Sequence, residues 1–357
     1  MLLVSPKVQP AGKIRPRLRQ KTDFMDQPIR WGILGTGKIA SAFAAGLREI
    51  PGTRLVAVAS RSSDSAGKFG REFDVGSCHV SYQALADDPQ VDVIYIATPH
   101  PMHAGNTLMC LDAGKHVLCE KPFTMNRREA EEVVALARRK NRFVMEAMWT
   151  CFLPGMAEAK RIIASGEIGR VRQIQSDFGF VGDVGPEHRL YNPELGGGAL
   201  LDIGIYPLAI STFFLGPVDA VQSVAEIGAT GVDEQTAFSL RHRDGGVSSC
   251  VCSIRAASPI EMTVSGELGC LRLHSPFYQA GSLTVTLADG GTRTVQCPFI
   301  GNGYAHEAIE VMRCLRAGLI ESPLLTHDDM LAQMGILDAI RAQIGLSYPA
   351  DRNIALN

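Results

Sequence analysis

The sequence predicts two folded domains, a doubly wound parallel α/β domain followed by an α+β domain whose large open sheet is mostly antiparallel. Three observations predict this. Between residues 29 and 147, short apolar runs alternate with helical segments, the pattern of a parallel sheet covered on both faces. The first of these junctions is a glycine turn, Gly35-Thr36-Gly37. Between residues 169 and 287, by contrast, short strands follow one another across glycine turns, which favours antiparallel pairing. A chain of 357 residues is long enough for two domains and a substantial core without a metal or disulfide staple.

In the first domain, expected over residues 29–149, Ile29–Leu34 is an apolar run that feeds the glycine turn, and residues 40–50 carry Ala, Phe and Leu at helical spacing. Further strands are expected at 54–60, 91–98, 116–119 and 143–147, with helices at 65–73, 102–113 and 127–139 between them. The second domain, expected over 150–357, begins with a helix at 156–165 and a strand at 169–178. A glycine run, Gly196-Gly197-Gly198, leads into a helix over 199–214. Short strands follow at 219–227, 236–242, 247–254, 260–265, 270–274 and 283–287. Helices at 305–317 and 327–345 close the chain, the last expected to pack back on the first domain.

Composition excludes several classes. Hydrophobic residues at 46% and charged residues at 20% describe a globular chain, not a disordered or fibrous one. With 35 Lys+Arg against 37 Asp+Glu, the formal charge of -2 provides no global field for nucleic acid or an anionic membrane. The longest stretch without Lys, Arg, Asp or Glu, residues 93–111, holds Pro99, His100, Pro101, His103 and Asn106, which argues against a membrane span. Nine scattered cysteines without a C-x-x-C pair point to neither a disulfide framework nor a zinc site; reduced thiols and a cytoplasmic protein without metal are expected. Residues 1–28 form a basic arm, with Lys7, Lys13, Arg15, Arg17, Arg19 and Lys21, that is expected to be disordered. The arm has neither the apolar centre of a secretory signal nor the serine-rich amphipathic pattern of a transit peptide.

The glycine turn carries the first chemistry. Gly35 permits the bend, Gly37 lets the backbone approach a pyrophosphate, and the small Ala40 lets the helix pack on its strand. With Thr36, Lys38 and Ile39 beside them, free N–H groups and the helix dipole face the phosphates of a dinucleotide. The second strand ends in Ser60-Arg61, where a carboxylate would mark NAD; the forked donors of Arg61 suit a 2′-phosphate, so NADP is the expected cofactor and NAD the alternative.

Later strands end in Thr98-Pro99-His100-Pro101-Met102-His103 and Glu120-Lys121-Pro122. Loops at the carboxyl ends of parallel strands face the ligand crevice, so Lys121 is a candidate acid beside the nicotinamide, against the plainer reading of a surface lysine paired with Glu120. Thr98, Pro99, His103 and Glu120 are assigned to the same cofactor site, and His100 with His103 either lines it or caps the helix. Asp202 and Tyr206, four apart on a helix, place a carboxylate and a phenol on one face next to helix N–H groups; the alternative is a helix cap and a core aromatic.

Taken together, Gly35-Thr36-Gly37-Lys38-Ile39-Ala40, Glu120-Lys121-Pro122, Glu146-Ala147-Met148-Trp149 and the run from Gly197 to Pro207 resemble the glucose-fructose oxidoreductase, inositol dehydrogenase and rhizopine catabolism (Gfo/Idh/MocA) family over residues 29–349. The chain is most similar to the branch of dimeric dihydrodiol dehydrogenases and NADP-dependent D-xylose 1-dehydrogenases, which carry Trp and Tyr where this chain has Trp149 and Tyr206. The resemblance implies a Rossmann domain and NAD(P)-dependent oxidation of a sugar or cyclic polyol hydroxyl, or reduction of the matching carbonyl. It also implies a homodimer or homotetramer formed through the second sheet. In this reading Lys121 polarises the reacting oxygen, and Asp202 orients the substrate or tunes Lys121. Tyr206, its phenol lowered toward neutral pH by the adjacent ammonium, exchanges the proton. A cis Lys121-Pro122 bond is implied, and Trp149, Arg189 and Tyr191 are expected to wall the substrate pocket, with packing between the domains as the alternative for Trp149 and Tyr191. A cofactor-binding redox sensor and an NAD-dependent glycosidase-type relative are the alternative functions.

Overall fold

The computed structural model describes residues 27–352, so the basic arm lies outside the described residues. The first sheet contains β1 (Ile29–Leu34), β2 (Thr53–Ala59), β3 (Ser77–His79), β4 (Val93–Ile96), β5 (His116–Glu120) and β6 (Val144–Ala147), all parallel, in the order β3-β2-β1-β4-β5-β6. Helices α1 (Lys38–Arg48), α2 (Ser63–Phe73), α3 (Tyr82–Ala86), α4 (His103–Asp112) and α5 (Arg127–Lys140) connect them. Every residue of β4, β5 and β6 is buried, as expected when helices cover both faces. The strand order reverses between β1 and β4, and a crevice opens there at the carboxyl ends.

After α6 (Pro154–Ala164) comes a second sheet of eight strands: β7 (Val171–Gly179), β8 (Val218–Ile227), β9 (Asp233–His242), β10 (Val247–Ser253), β11 (Met262–Gly266), β12 (Gly269–Leu273), β13 (Ser282–Leu287) and β14 (Thr292–Gln296). Their order is β14-β13-β12-β11-β7-β10-β9-β8, with only the β7–β10 pair parallel. In β9 and β10 buried and exposed residues alternate, so one face packs inward while Val224, Val247 and Val251 stand exposed on the strands. The inner face rests on α7 (Ile205–Leu215). This helix is apolar enough to resemble a membrane span, but the apolar segment that contains it is mostly buried inside the protein.

The predicted helix over 199–214 differs in detail. Leu200–Gly204 form a wide π-type turn before α7. Pro207 has no N–H to close a helical bond and so forbids a regular ladder here. The chain closes with α8 (Ala305–Ala317), α9 (His327–Ile344) and α10 (Pro349–Arg352). α9 packs on α5, while Ile320 accepts from the Val144 N–H and the His327 ring meets the Val144 carbonyl, covering the edge strand β6. The elements absent from the sequence reading are short or polar: β3 has three residues, α3 five, and β14 is an exposed edge.

Candidate active site

β1 delivers the chain to Gly35, whose φ of 112° and whose approach to β4 both require glycine: a Cβ there would lie 2.5 Å from the Ala97 carbonyl oxygen. Gly37 caps α1 without a side-chain hydrogen bond, no acid occupies the first turn, and a Cβ on Gly37 would meet nothing within 4 Å. Open space therefore faces unsatisfied N–H groups at a helix N-terminus, a cradle that fits a pyrophosphate. Gly37, Lys38 and Ile39 line one end of a cleft of about 620 Å³. At the end of β2, the Thr36 hydroxyl lies 3.5 Å from that of Ser60, and Arg61 is exposed and free to reach a phosphate. Gly35, Thr36, Ser60 and Arg61 lie outside the cleft wall, along the ends of β1 and β2.

Thr98, Pro99, His103 and Glu120 continue the cleft along the ends of β4 and β5. The His103 ring is clamped between two carbonyls, Pro122 at 2.7 Å from Nδ1 and Thr98 at 2.8 Å from Nε2, which ties the two loops together. His103 opens α4 and His100 makes no cap; both rings line the cleft. Both oxygens of buried Glu120 are engaged, one by the Tyr95 hydroxyl and one by the Lys121 N–H. Burial raises its pKa, against the pull of Tyr95 and Lys121. Glu146, buried behind it, accepts from the Phe123 N–H, and burial raises its carboxyl to about 7.

The Lys121-Pro122 bond is cis. The Lys121 ammonium donates to the Asp202 carbonyl at 2.6 Å and to the Asp202 carboxylate at 3.2 Å, and it lies 5.1 Å from the centre of the Tyr206 ring. Arg189 forks onto both Asp202 oxygens at 3.0 and 3.3 Å. Burial alone would raise the Asp202 carboxyl, but Lys121 and Arg189 hold it well below the usual carboxylate range. The expectation for Tyr206 is therefore corrected. The Tyr206 phenol is pushed well above its ordinary value by burial, helped by the negative charges of Glu120 and Asp202, and the Lys121 ammonium over its ring does not bring it back down. Its hydroxyl oxygen accepts from Trp149 Nε1 at 3.3 Å, so the O–H proton is free to be donated.

Trp149 also lines the cleft, stacked on Tyr304 at 4.5 Å. Tyr278 and Phe178, stacked at 4.7 Å, back Tyr206 with ring centres 5.5 Å from it. Tyr191 departs from expectation. It does not line the cleft, and its hydroxyl is occupied by the carbonyls of Gly182 and Ile254, so it braces the loop that carries Arg189. The helix N-terminus before Asp202 is also less free than expected, since buried Asp233 accepts from the Leu200 N–H at 2.8 Å. His188 and Tyr304, which line the cleft, and Asp233, which caps the turn behind it, were not assigned from the sequence, whereas His100 was placed at the cofactor site or as a helix cap and lines the cleft. The signal for His100 stood in the Thr98–His103 loop, whereas Tyr304 lies in a distant glycine loop without a local pattern.

Among the described residues no group of three or more His, Cys, Asp or Glu could hold a metal ion. The chain matches an oxidoreductase family with an NAD-binding Rossmann fold over residues 29–148 and the GFO/IDH/MocA C-terminal domain over residues 156–272. It belongs to the Gfo/Idh/MocA family. It is 35% identical to the trans-1,2-dihydrobenzene-1,2-diol dehydrogenase of Danio rerio over 335 residues, covering 90% of this chain and 99% of that protein. It is likewise 35% identical to the Homo sapiens protein of that name, with 91% and 99% covered. Among solved structures it resembles a 3-ketoreductase from Actinomadura kijaniata in complex with NADP and TDP-benzene, with a TM-score of 0.80, 27% identity and 89% and 98% of the chains covered. The aldose-aldose oxidoreductase from Caulobacter crescentus, complexed with glycerol, gives a TM-score of 0.81 at 25% identity, with 89% and 97% covered. This protein is an NAD(P)-dependent oxidoreductase.

Proposed function

We propose that this oxidoreductase moves a hydride between NADP and one carbon of a cyclic diol, sugar or cyclic polyol, reversibly, with the matching carbonyl compound as the other partner. The observation that carries this reading is one cleft that joins the Gly37 phosphate cradle to the Lys121 ammonium and the Tyr206 hydroxyl. The dihydrodiol dehydrogenase, 3-ketoreductase and aldose-aldose oxidoreductase activities named for its relatives support that substrate class. The bound nicotinamide supplies the hydride acceptor or donor at its C4.

The chain's own residues handle oxygen and proton. In reduction, the Lys121 Nζ and the Tyr206 hydroxyl both donate to the carbonyl oxygen, stabilising the charge that develops on it. The phenol, held neutral, then releases its proton to that oxygen, and the ammonium over its ring offsets the negative charge left behind. Oxidation runs the same path backwards and needs the phenolate, so its rate climbs as pH rises into the alkaline range. Asp202 and Arg189 fix the ammonium in place. The engaged Lys121, Asp202 and Tyr206 favour turnover over a purely sensing role, and Arg61 favours NADP over NAD.

The exposed outer face of the second sheet, with Val224 and Val251, supports assembly of two copies face to face, and free cysteines support a reducing compartment such as the cytoplasm. The test is absorbance at 340 nm with NADP or NAD and a panel of cyclic diols, aldopyranoses and inositols at alkaline pH. Reduction of NADP by one of these groups is the expected result; turnover of none, in either direction, contradicts the proposal.

A further inference from the structure

His100 stands in the short 3-10 turn His100–Met102 that follows Pro99 at the carboxyl end of β4. Its Nδ1 lies 3.0 Å from the carbonyl oxygen of Gly196, an approach made possible by a glycine: a Cβ there would sit 3.0 Å from the His100 Cβ. A carbonyl can only accept, so the neutral ring carries its proton on Nδ1 and keeps a lone pair on Nε2. Burial keeps the ring neutral, pushing its pKa down to about 3; His103, Lys121 and Arg189 act in the same direction and Asp202 opposes them. The ring is a wall of the cleft, no hydrogen bond from another described residue reaches Nε2, and that atom is not among those sealed away from solvent without a partner.

Around it, the polar groups are mostly donors or already engaged. Lys121 and Arg189 only donate, the Asp202 carboxylate is occupied by both, and the Glu120 oxygens are occupied by Tyr95 and the Lys121 N–H. A substrate carrying a second hydroxyl beside the reacting one brings a proton that needs an acceptor. We infer that His100 Nε2 accepts the hydrogen bond of that neighbouring hydroxyl, making His100 a specificity-determining residue that selects vicinal diols over simple alcohols. The inference rests on the proposed function and extends it to the recognition of a second oxygen.

The two amide variants separate this role from a structural one. In His100→Asn the amide nitrogen takes the place of Nδ1 and keeps the Gly196 contact, but nothing stands at Nε2. In His100→Gln a carbonyl oxygen takes the place of Nε2 and the Gly196 contact is lost. With NADP as acceptor, trans-1,2-cyclohexanediol and cyclohexanol are compared by kcat/KM. His100→Asn is expected to lower the preference for the diol roughly tenfold, the loss expected of one hydrogen bond, through the KM of the diol alone. His100→Gln is expected to retain most of that preference. The reverse order, with Asn like wild type and Gln defective, would overturn the inference and leave His100 as a strut for Gly196.

A measurement on the unaltered protein does not depend on the variants folding. trans-2-Fluorocyclohexanol keeps the shape of the diol without its second donor, and it is expected to be roughly tenfold poorer than the diol. Equal use of the two overturns the inference while the proposed oxidation stands. If wild type oxidises no alcohol with either cofactor, the proposed function falls and the His100 role with it.

Discussion

The two halves of the cleft are built from different materials. The cofactor half is mostly backbone: a glycine turn, the bare N-terminus of α1 and strand ends, with open space where a Cβ on Gly37 would project. The substrate half is side chains locked to one another, with Lys121, Asp202 and Arg189 in one charge network and Trp149, Tyr206, Phe178, Tyr278 and Tyr304 in one aromatic wall. The difference teaches that binding of the dinucleotide and handling of the proton are separable here. A backbone cradle tolerates changes in neighbouring side chains, whereas a closed charge network fails when one member is lost.

The strongest test of that separation is Lys121→Met. It is expected to lower kcat about a thousandfold, since one preorganised donor to the reacting oxygen is removed, while the Kd of NADP from fluorescence titration stays within about threefold. Parallel losses of turnover and cofactor binding would merge the two halves into one.

Next in size is an effect on stability. Burial raises Asp233, which caps the turn carrying Asp202, to about 7, far above a solvated carboxyl. A folded-state pKa raised above the unfolded one means that the folded protein holds the proton more tightly; the stability is full below the unfolded value and is lost as pH rises through about 7. Urea unfolding is therefore expected to show a loss on the order of 3 kcal/mol between about pH 5 and about pH 8 from this residue, and Asp233→Asn to flatten that part of the slope. An unchanged slope would mean that Asp233 ionises freely in the fold.

Arg61→Ala probes the cofactor half in the opposite sense. NADP binding should weaken by about 2 kcal/mol, the usual size of a hydrogen bond to a charged group, with NAD binding and the kcat at saturating NADP unmoved. Equal losses for NADP and NAD would remove Arg61 from the 2′-phosphate. The smallest expected effect on the cleft comes from Val251→Asp on the exposed face of the second sheet. Sedimentation should show association between copies weakened about a hundredfold, with activity per chain changed less than about twofold. A collapse of activity would tie the site to the assembly.

The same contrast explains what the sequence made legible. The cofactor half follows local rules: Gly35 and Gly37 stand between a strand and a helix, β4 is an unbroken apolar run, and β5 is apolar between His116 and Glu120, both strands ending at the crevice. The substrate half joins residues far apart, such as Lys121 and Asp202, 81 positions from one another, so the residue types were readable but their contacts were not. Pro207 was visible as a residue, yet the wide turn before it was not read. The phenol of Tyr206 was expected to be lowered; its burial and the charges of Glu120 and Asp202 reverse the direction, and neither is encoded locally. Tyr191 shows the limit of a resemblance: it implied a pocket wall, with packing as the alternative, and the hydroxyl fastens the loop from within.

The most direct test of the account is to follow the hydrogen itself. A cyclic diol deuterated at its carbinol carbons is incubated with the protein and NADP in ordinary water, and the reduced cofactor is weighed by mass spectrometry. Direct hydride transfer in the cleft predicts NADPH heavier by one mass unit, formed stoichiometrically with the ketone. Unlabelled NADPH, or deuterium released to water without reduced cofactor, would contradict it.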